Sequence, residues 1–291
     1  MNQSKLNQIT DHVYWLPPDE TTDRPILGAI SGRWGTLLVE AGNSPAHANL
    51  FLSELARVKI TAPKFLMLTH WHWDHVFGTS AIDLPTFAHR ETRRIVAEMA
   101  QLDWSDEALE RRVEAGLEIE FCRDMIKAEL PDRSDLTIRP PDIAFSQQIE
   151  LDLGGVTCHI AHVGGDHAAD SSIVFIPEDQ VIFLGDCIYM DIYHPVRRYT
   201  PQKLFPLLDQ LLAYDAAFYL AAHDPEPISR AMLAEEATVL KTVGQTVEQM
   251  GHNRAAILAG LTATIGEALT NEYLDIVDAF LAGLQSRPTP P

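Results

Sequence analysis

The amino-acid sequence predicts an α/β fold that contains two β-sheets and several helices. Short apolar segments bounded by Gly and Pro occupy the first ninety residues, and short strands with tight turns repeat between residues 148 and 184. Apolar residues recur at helical spacing after residue 90 and again near the C-terminus. The 291 residues, 46% of them hydrophobic, can bury the core of one large α/β domain or of two ordinary domains.

The first ninety residues follow the pattern strand, strand, helix, strand. Residues 12–16 and 34–40 are rich in β-branched, aromatic and leucine side chains, which is typical of strands. The turn at residues 42–45 closes the second strand and opens a helix over residues 46–58. Residues 65–68 are all apolar, as expected for a strand that is covered on both faces, and this strand ends at Thr69.

Residues 90–130 have mixed charges and a helical spacing of apolar side chains, including Ile95, Met99, Leu109 and Val113. This pattern predicts an amphipathic helical insertion. Two interpretations of the insertion remain open. The insertion is either a helical layer packed on a sheet or a lid over an active site.

Strands resume after Pro140 and Pro141, at residues 148–153, 156–162, 172–176 and 181–184, and their tight turns predict a second, antiparallel sheet. A helix to residue 213 and a strand over residues 218–222 follow. Helical stretches over residues 228–250, 254–264 and 265–284 close the chain, and the tail at residues 286–291 is predicted to be frayed.

The charge balance narrows the range of partners. There are 41 acidic and 22 basic residues, so the formal net charge is −19, which disfavours nucleic acid and anionic membrane surfaces. Residues 1–11 lack the apolar stretch of a signal peptide, and no run of about 18 apolar residues is long enough to span a membrane. Three widely spaced cysteines do not form a disulfide framework, so we expect a cytoplasmic protein.

Four potential metal ligands, His70, His72, Asp74 and His75, lie within six residues just after the apolar strand. In an extended segment alternate side chains face the same way, so His70 and His72 can share one metal ion. The chain then turns towards a helix, which allows Asp74 and His75 to reach a second ion nearby. The segment therefore predicts two neighbouring metals.

This His-x-His-x-Asp-His pattern after a strand resembles the hallmark of the metallo-β-lactamase-fold hydrolases. The resemblance implies a further histidine, a bridging aspartate about nineteen residues later and a final histidine near a strand end. His167, Asp186 and His223 meet these expectations in order, with 186 − 167 = 19. The resemblance covers roughly residues 10–225. It implies a four-layer αββα sandwich over residues 1–225, with residues 226–291 as a helical extension packed on the same domain.

The resemblance also implies a ligand set. One metal is assigned His70, His72 and His167, the other is assigned Asp74, His75 and His223, and Asp186 bridges the two. Imidazole and carboxylate ligands suit zinc, which we expect by default, and also manganese or iron.

Two further residues leave alternatives open. His162 is a rival for the role of His167, although its spacing to Asp186, 186 − 162 = 24, fits less well. Glu40 stands where the family often has an aspartate that supports the site, or else it is a surface carboxylate at a strand end.

These ligands imply a hydrolase in which a hydroxide bridging two metals attacks a small ester, lactone or thioester. The bridging aspartate is typical of thioesterases, lactonases and phosphodiesterases of this fold. Asp74 and Tyr189 are the predicted catalytic residues. Tyr189 resembles a tyrosine of acyl-homoserine lactone lactonases that hydrogen-bonds the substrate carbonyl, although it could instead be a packed loop residue.

Alternative functions are a phosphodiesterase and a non-catalytic metal-binding protein. The predicted partner is a small-molecule substrate, with neither nucleic acid nor a membrane involved. The sequence also allows a homodimer.

Overall fold

A computed structural model describes residues 5–266 and 268–285. The tail predicted to fray, at residues 286–291, lies outside these residues. The strands are β1 (Asn7–Gln8), β2 (Val13–Leu16), β3 (Leu27–Ser31), β4 (Thr36–Val39), β5 (Pro63–Leu68), β6 (Thr86–His89), β7 (Ile143–Phe145), β8 (Gln148–Asp152), β9 (Thr157–His162), β10 (Ser172–Ile176), β11 (Val181–Gly185), β12 (Phe218–Ala221) and β13 (Ile228–Ser229). The helices are α1 (Pro45–Leu55), α2 (Trp73–Val76), α3 (Arg90–Met99), α4 (Asp106–Glu114), α5 (Glu120–Glu129), α6 (Pro201–Ala213), α7 (Arg230–Met250), α8 (Arg254–Ile265) and α9 (Asn271–Gln285).

The strands form two mixed sheets, which confirms the predicted α/β class. The first sheet has the order β1-β2-β3-β4-β5-β6-β7; strands β1 to β4 pair antiparallel and strands β4 to β7 pair parallel. The second has the order β13-β12-β11-β10-β9-β8, in which β8 to β11 pair antiparallel and β11 pairs parallel with β12. The inner faces of the two sheets share one apolar core, to which Ile30 and Val39 contribute from the first sheet and Ile160 and Phe183 from the second.

The predicted helical insertion is confirmed as three short helices, α3, α4 and α5. The hydroxyl of Ser105 accepts a hydrogen bond from the backbone N–H of Ala108, so Ser105 starts α4 as an N-cap. Ser229 starts α7 in the same way, through the N–H of Met232. No helix of the described residues is both long and apolar enough to cross a membrane.

Four strands of the first sheet were not predicted from the sequence: β1, β3, β6 and β7. Strand β3 has the sequence Leu-Gly-Ala-Ile-Ser, in which only Ile30 is β-branched, so its local strand signal is weak. It forms because β2 and β4 pair with it on either side and because four of its five residues are buried. Tertiary pairing therefore overrides local preference at this strand.

The described residues divide into two compact units. The first contains residues up to Val163 together with Asp170–Asp186 and Ala216–Ile228, and it includes both sheets apart from Ser229. The second contains Gly164–Ala169, Cys187–Asp215 and the residues from Ser229 onwards, including α6 to α9. Within it, Phe205 on α6 and Phe280 on α9 pack with their ring centroids 6.1 Å apart. The predicted domain boundary at residue 225 stays a prediction.

Candidate metal centre

Potential ligands of the first unit follow the carboxyl ends of parallel strands in both sheets. In the first sheet, β4 and β5 are parallel, so Glu40 and the segment that begins at Thr69 emerge at the same edge. In the second sheet, β11 and β12 are parallel, so Asp186 and His223 emerge together. The backbone N–H of Ala222 donates to the carbonyl of Gly185 at 3.1 Å and fixes the register of these two ends. Residues far apart in the sequence are thereby brought to one place.

His70 and His72 lie in the short segment between β5 and α2. Both are buried, and their ring centroids are 4.6 Å apart. His70 Nδ1 lies 3.1 Å from the hydroxyl of Thr69, which orients the ring. The ligand atoms of His70, His72 and Asp186 all lie within 4.8 Å of one another. This spacing suits one metal ion, as the alternation of the segment predicts.

A second group in the same unit comprises Asp74, His75, Asp186 and His223, with ligand atoms again within 4.8 Å of one another. The Nε2 atom of His75 lies 3.0 Å from Asp74 Oδ2 and 3.4 Å from Asp186 Oδ2. The Nε2 atom of His223 lies 3.3 Å from Asp74 Oδ2 and 3.5 Å from Asp186 Oδ2. The Nε2 atoms of His75 and His223 therefore both face the carboxylates of Asp74 and Asp186.

Asp186 belongs to both groups, so one carboxylate connects the two candidate metal positions. Its side chain is placed by Gly185, which ends β11 with a φ of +55°. A Cβ atom at residue 185 would collide with the side chain of Thr69. Glycine is thus required here both for the left-handed backbone and for the close approach of the two strand ends.

Glu40 is buried, and this excludes the surface interpretation of the residue. Its carboxylate accepts a hydrogen bond from the hydroxyl of Thr69, and its Oε1 atom lies 3.2 Å from His75 Nδ1. The backbone at Glu40 is left-handed, with a φ of +69°, which an L residue adopts only when its surroundings hold it there. Glu40 therefore supports His75 from the side opposite to Asp74.

The electrostatics of the cluster favour positive charge. Burial by itself would lower the pKa of His75 and of His223, but the carboxylates outweigh it and raise both pKa values well above that of an ordinary histidine. Among the carboxylates, Asp74 raises the pKa of His75 most, and Asp186 raises the pKa of His223 most. Burial opposes the ionisation of Asp74, yet the charge of His75 and hydrogen bonds from both imidazoles hold its pKa below the usual range.

The donor set fits divalent metal ions. Imidazole nitrogens and carboxylate oxygens are crowded at ligand spacing in a largely buried place, and they are the donors that zinc, manganese and iron accept. Protons on His75 and His223 balance the carboxylates of Asp74 and Asp186 in the metal-free protein, and bound cations can take over that balance. The cluster is thus suited to divalent metals by both geometry and charge.

Sequence reasoning did not identify Asp23, although its Oδ1 atom lies 3.6 Å from His223 Nδ1. Burial raises the pKa of Asp23 to about 7, and the neighbouring carboxylate of Asp74 adds to this effect. Asp23 lies in a turn far from any ligand motif, and the sequence signal of a turn does not show which way a side chain points. The backbone of Asp23 is left-handed, with a φ of +58°, and this becomes visible only in the structure.

The remaining predicted site residues lie as follows. His167 and Tyr189 belong to the second unit, where their ring centroids are 6.1 Å apart and His167 Nδ1 is 2.9 Å from the carbonyl oxygen of Met190. His162, the rival of His167, stacks on His89 with centroids 4.0 Å apart and is in none of the candidate metal groups of the described residues. The roles of His167 and Tyr189 stay predictions.

Comparisons with known proteins agree with this fold. Similar solved structures include a metallo-beta-lactamase from Pontibacter korlensis, with a TM-score of 0.58 and 17% identity over 81% of this chain and 98% of that one. They also include a metallo-beta-lactamase family protein from Thermus thermophilus, with a TM-score of 0.58 and 18% identity over 95% of this chain and 93% of that one. The stereoselective inverting sec-alkylsulfatase Pisa1 from Pseudomonas sp. has a TM-score of 0.65 and 13% identity over 97% of this chain and 50% of that one. The chain thus spans about half the length of the sulfatase. A search of curated proteins found no match.

The family model of the metallo-beta-lactamase superfamily matches residues 30–223, a stretch that begins in β3 and ends at His223. It therefore includes every residue of the two ligand groups described above. On the evidence of this match and of the shared fold, the chain belongs to the metallo-beta-lactamase superfamily.

Proposed function

We propose that this protein is a dinuclear-metal hydrolase that cleaves a small ester, lactone or thioester. The observation that carries the proposal is the sharing of Asp186 by two buried ligand groups. A carboxylate in that position can hold two ions at a fixed separation, as reactions assisted by two metals require. The acidic net charge of −19 supports a small substrate rather than a nucleic acid, and we also propose a cytoplasmic location.

The chain would hold the first ion through His70 and His72 and the second through Asp74, His75 and His223. His167 is assigned to the first ion on the strength of the sequence pattern. Two bound divalent cations, zinc by preference, supply Lewis acidity that polarises a substrate carbonyl and acidifies water.

The protein side chains have separate tasks in this proposal. Asp74 stays ionised at neutral pH because its pKa is held low, so its carboxylate remains available as a ligand and a hydrogen-bond acceptor. Glu40 fixes the ring of His75 through Nδ1 and thereby directs Nε2 towards the centre. Tyr189, which is partly buried in the second unit, is proposed to donate a hydrogen bond from its phenolic hydroxyl to the oxygen on which negative charge develops.

The test combines metal analysis with a substrate panel of a lactone, a thioester, an ester, a phosphodiester, a β-lactam and a secondary alkyl sulfate. We expect about two metal ions per chain and turnover of an acyl substrate. Asp186→Ala should lose metal and lower turnover by orders of magnitude. Asp179→Ala is a matched control, because Asp179 is a largely buried aspartate that pairs with His12 at 2.9 Å, near the opposite end of β11.

Asp179→Ala should retain both ions and full activity. Full metal content and near wild-type activity in Asp186→Ala would show that the bridging assignment is wrong. Turnover of the phosphodiester or the sulfate alone would contradict the acyl preference while leaving the metal centre intact. A protein that binds no metal would contradict both the proposed hydrolase function and the alternative metal-binding role.

A further inference from the structure

Asp23 lies beside the candidate metal centre, in the turn between β2 and β3. The turn is closed by paired backbone hydrogen bonds between Asp19 and Arg24, at 3.0 and 2.9 Å. Within it, Asp23 has a left-handed φ of +58° and its side chain is only 17% exposed. Aspartate commonly adopts this backbone conformation in turns, but a solvent-facing turn aspartate would not be buried. The side chain is therefore held in place by its surroundings.

His223 presents its two ring nitrogens to different carboxylates. Its Nε2 atom faces Asp74 and Asp186, at 3.3 and 3.5 Å, whereas its Nδ1 atom faces Asp23 Oδ1 at 3.6 Å. An imidazole that binds a metal through Nε2 carries its proton on Nδ1, and a carboxylate on that side fixes the tautomer and the orientation of the ring. The separation of 3.6 Å is longer than a hydrogen bond, so the inferred bond requires a small change in the position of one of the two side chains.

The neighbours of Asp23 are fixed to the helical insertion. Arg24 pairs with the carboxylate of Glu129, the last residue of α5, with Nη2 to Oε1 at 2.8 Å and Nε to Oε2 at 3.1 Å. The hydroxyls of Thr22 and Ser44 donate to the same carboxylate, whose side chain is 3% exposed. Asp23 thus lies between two residues that are both bound to Glu129. The end of the insertion holds the turn in position beside His223.

We infer that Asp23 is a positioning residue for the second metal site. Its carboxylate accepts a hydrogen bond from the Nδ1–H of His223, and Glu129 holds Asp23 in place through Thr22 and Arg24. The inference rests on the metal binding in the proposed function and does not depend on the reaction catalysed. It gives the helical insertion a task of its own, since α5 then supports a metal ligand. Positioning partners of this kind commonly change metal affinity about 10- to 100-fold.

The test is a titration of the metal-free protein with Zn²⁺ against a competing chelator. Asp23→Ala should weaken the binding of one of the two ions about 10- to 100-fold and leave the other unchanged. Asp23→Asn retains a carbonyl acceptor for the Nδ1 proton, so it should restore affinity to within a few-fold of wild type. Glu20→Ala is the matched control, because Glu20 is an exposed carboxylate in the same turn, and it should bind both ions normally.

A second pair of variants tests the anchor. Glu129→Gln should weaken the same ion in the same direction as Asp23→Ala but by a smaller factor, since it acts through the turn. Glu110→Gln should have no effect, because Glu110 pairs with Arg123 and Lys127 on the same insertion without contacting the turn. If Asp23→Ala fails to fold, nitrogen NMR of the zinc-loaded wild type gives the answer. The inference requires a protonated Nδ1 on His223 whose proton exchanges slowly with water.

The outcomes separate the two proposals. A wild-type protein that binds fewer than two ions contradicts the dinuclear function. A wild-type protein that binds two ions, together with an Asp23→Ala variant of equal affinity for both, overturns the positioning role alone. Equal losses in Asp23→Ala and Asp23→Asn would overturn it as well, because the retained acceptor would then have made no difference. Rapid exchange of the Nδ1 proton in the wild type would be equally decisive against it.

Discussion

Replacing Glu40 tests whether the candidate centre depends on a carboxylate outside the ligand set. In Glu40→Ala, the hydroxyl of Thr69 and the Nδ1 atom of His75 lose their acceptor in a buried place. Hydrogen bonds to a charged group contribute about 1.5 kcal/mol or more each, so the two contacts predict a loss of about 3 kcal/mol in the free energy of unfolding. The left-handed backbone at position 40 costs the same with glutamate as with alanine, because both are L residues. This cost therefore does not contribute to the difference in the free energy of unfolding between the wild type and Glu40→Ala.

The assay is urea unfolding of the metal-free variants followed by circular dichroism, with a zinc titration of the same samples. Glu40→Gln retains one acceptor and should fall between Glu40→Ala and the wild type. Glu150→Ala is the control, because Glu150 is an exposed strand carboxylate, with 70% of its side chain accessible, and should change the free energy of unfolding by less than about 0.5 kcal/mol. A Glu40→Ala variant as stable as Glu150→Ala, with unchanged zinc affinity, would refute the support that we assign to Glu40.

Three further predictions concern charge, catalysis and backbone. The pKa values of His75 and His223 are raised in the metal-free protein, so their contribution to folding stability is present at low pH and is lost as the pH rises through those raised values. Zinc must displace the protons of both histidines, so the affinity for zinc should increase with pH. Calorimetry in buffers of different ionisation enthalpy should detect that proton release, and its absence would contradict the charge assignment. Tyr189→Phe should lower kcat/KM for an ester or lactone about tenfold with unchanged metal content, whereas an unchanged kcat/KM would return Tyr189 to a packing role. Gly185→Ala should lower the free energy of unfolding, measured by thermal unfolding, by about 2 kcal/mol or more, because residue 185 has a φ of +55° and its new Cβ atom would collide with Thr69. Gly116→Ala should lose less, because residue 116 has a φ of +67° but open space around it. Equal losses would mean that the contact with Thr69 is unimportant.

The local sequence was sufficient to predict features that depend only on residues close together along the chain. The apolar strand β5 and the alternation that follows it predicted that His70 and His72 face one site, and in the structure their ring centroids lie 4.6 Å apart. Helical periodicity predicted the insertion, although the single stretch is divided into three helices. Such features depend on neighbours a few residues away, so the sequence displays them directly.

Distant ligands required more than local pattern. Asp186 and His223 were assigned through a resemblance to a family, since nothing in their own surroundings in the sequence indicates a metal. Their meeting depends on the parallel pairing of β11 and β12, which places the two strand ends at one edge of the second sheet. Pairing of this kind joins segments more than thirty residues apart and leaves no local trace in either of them.

The sequence by itself determined the α/β class and the compact motif of candidate ligands between His70 and His75, because strand patterns and this motif are written in consecutive residues. The tertiary structure alone decided that β3 is a strand, that Glu40 is buried against His75 and that Asp23 faces His223. Each of these depends on which distant segments pack together, and the direction of a side chain in a turn or at a strand end is fixed only when that packing is complete.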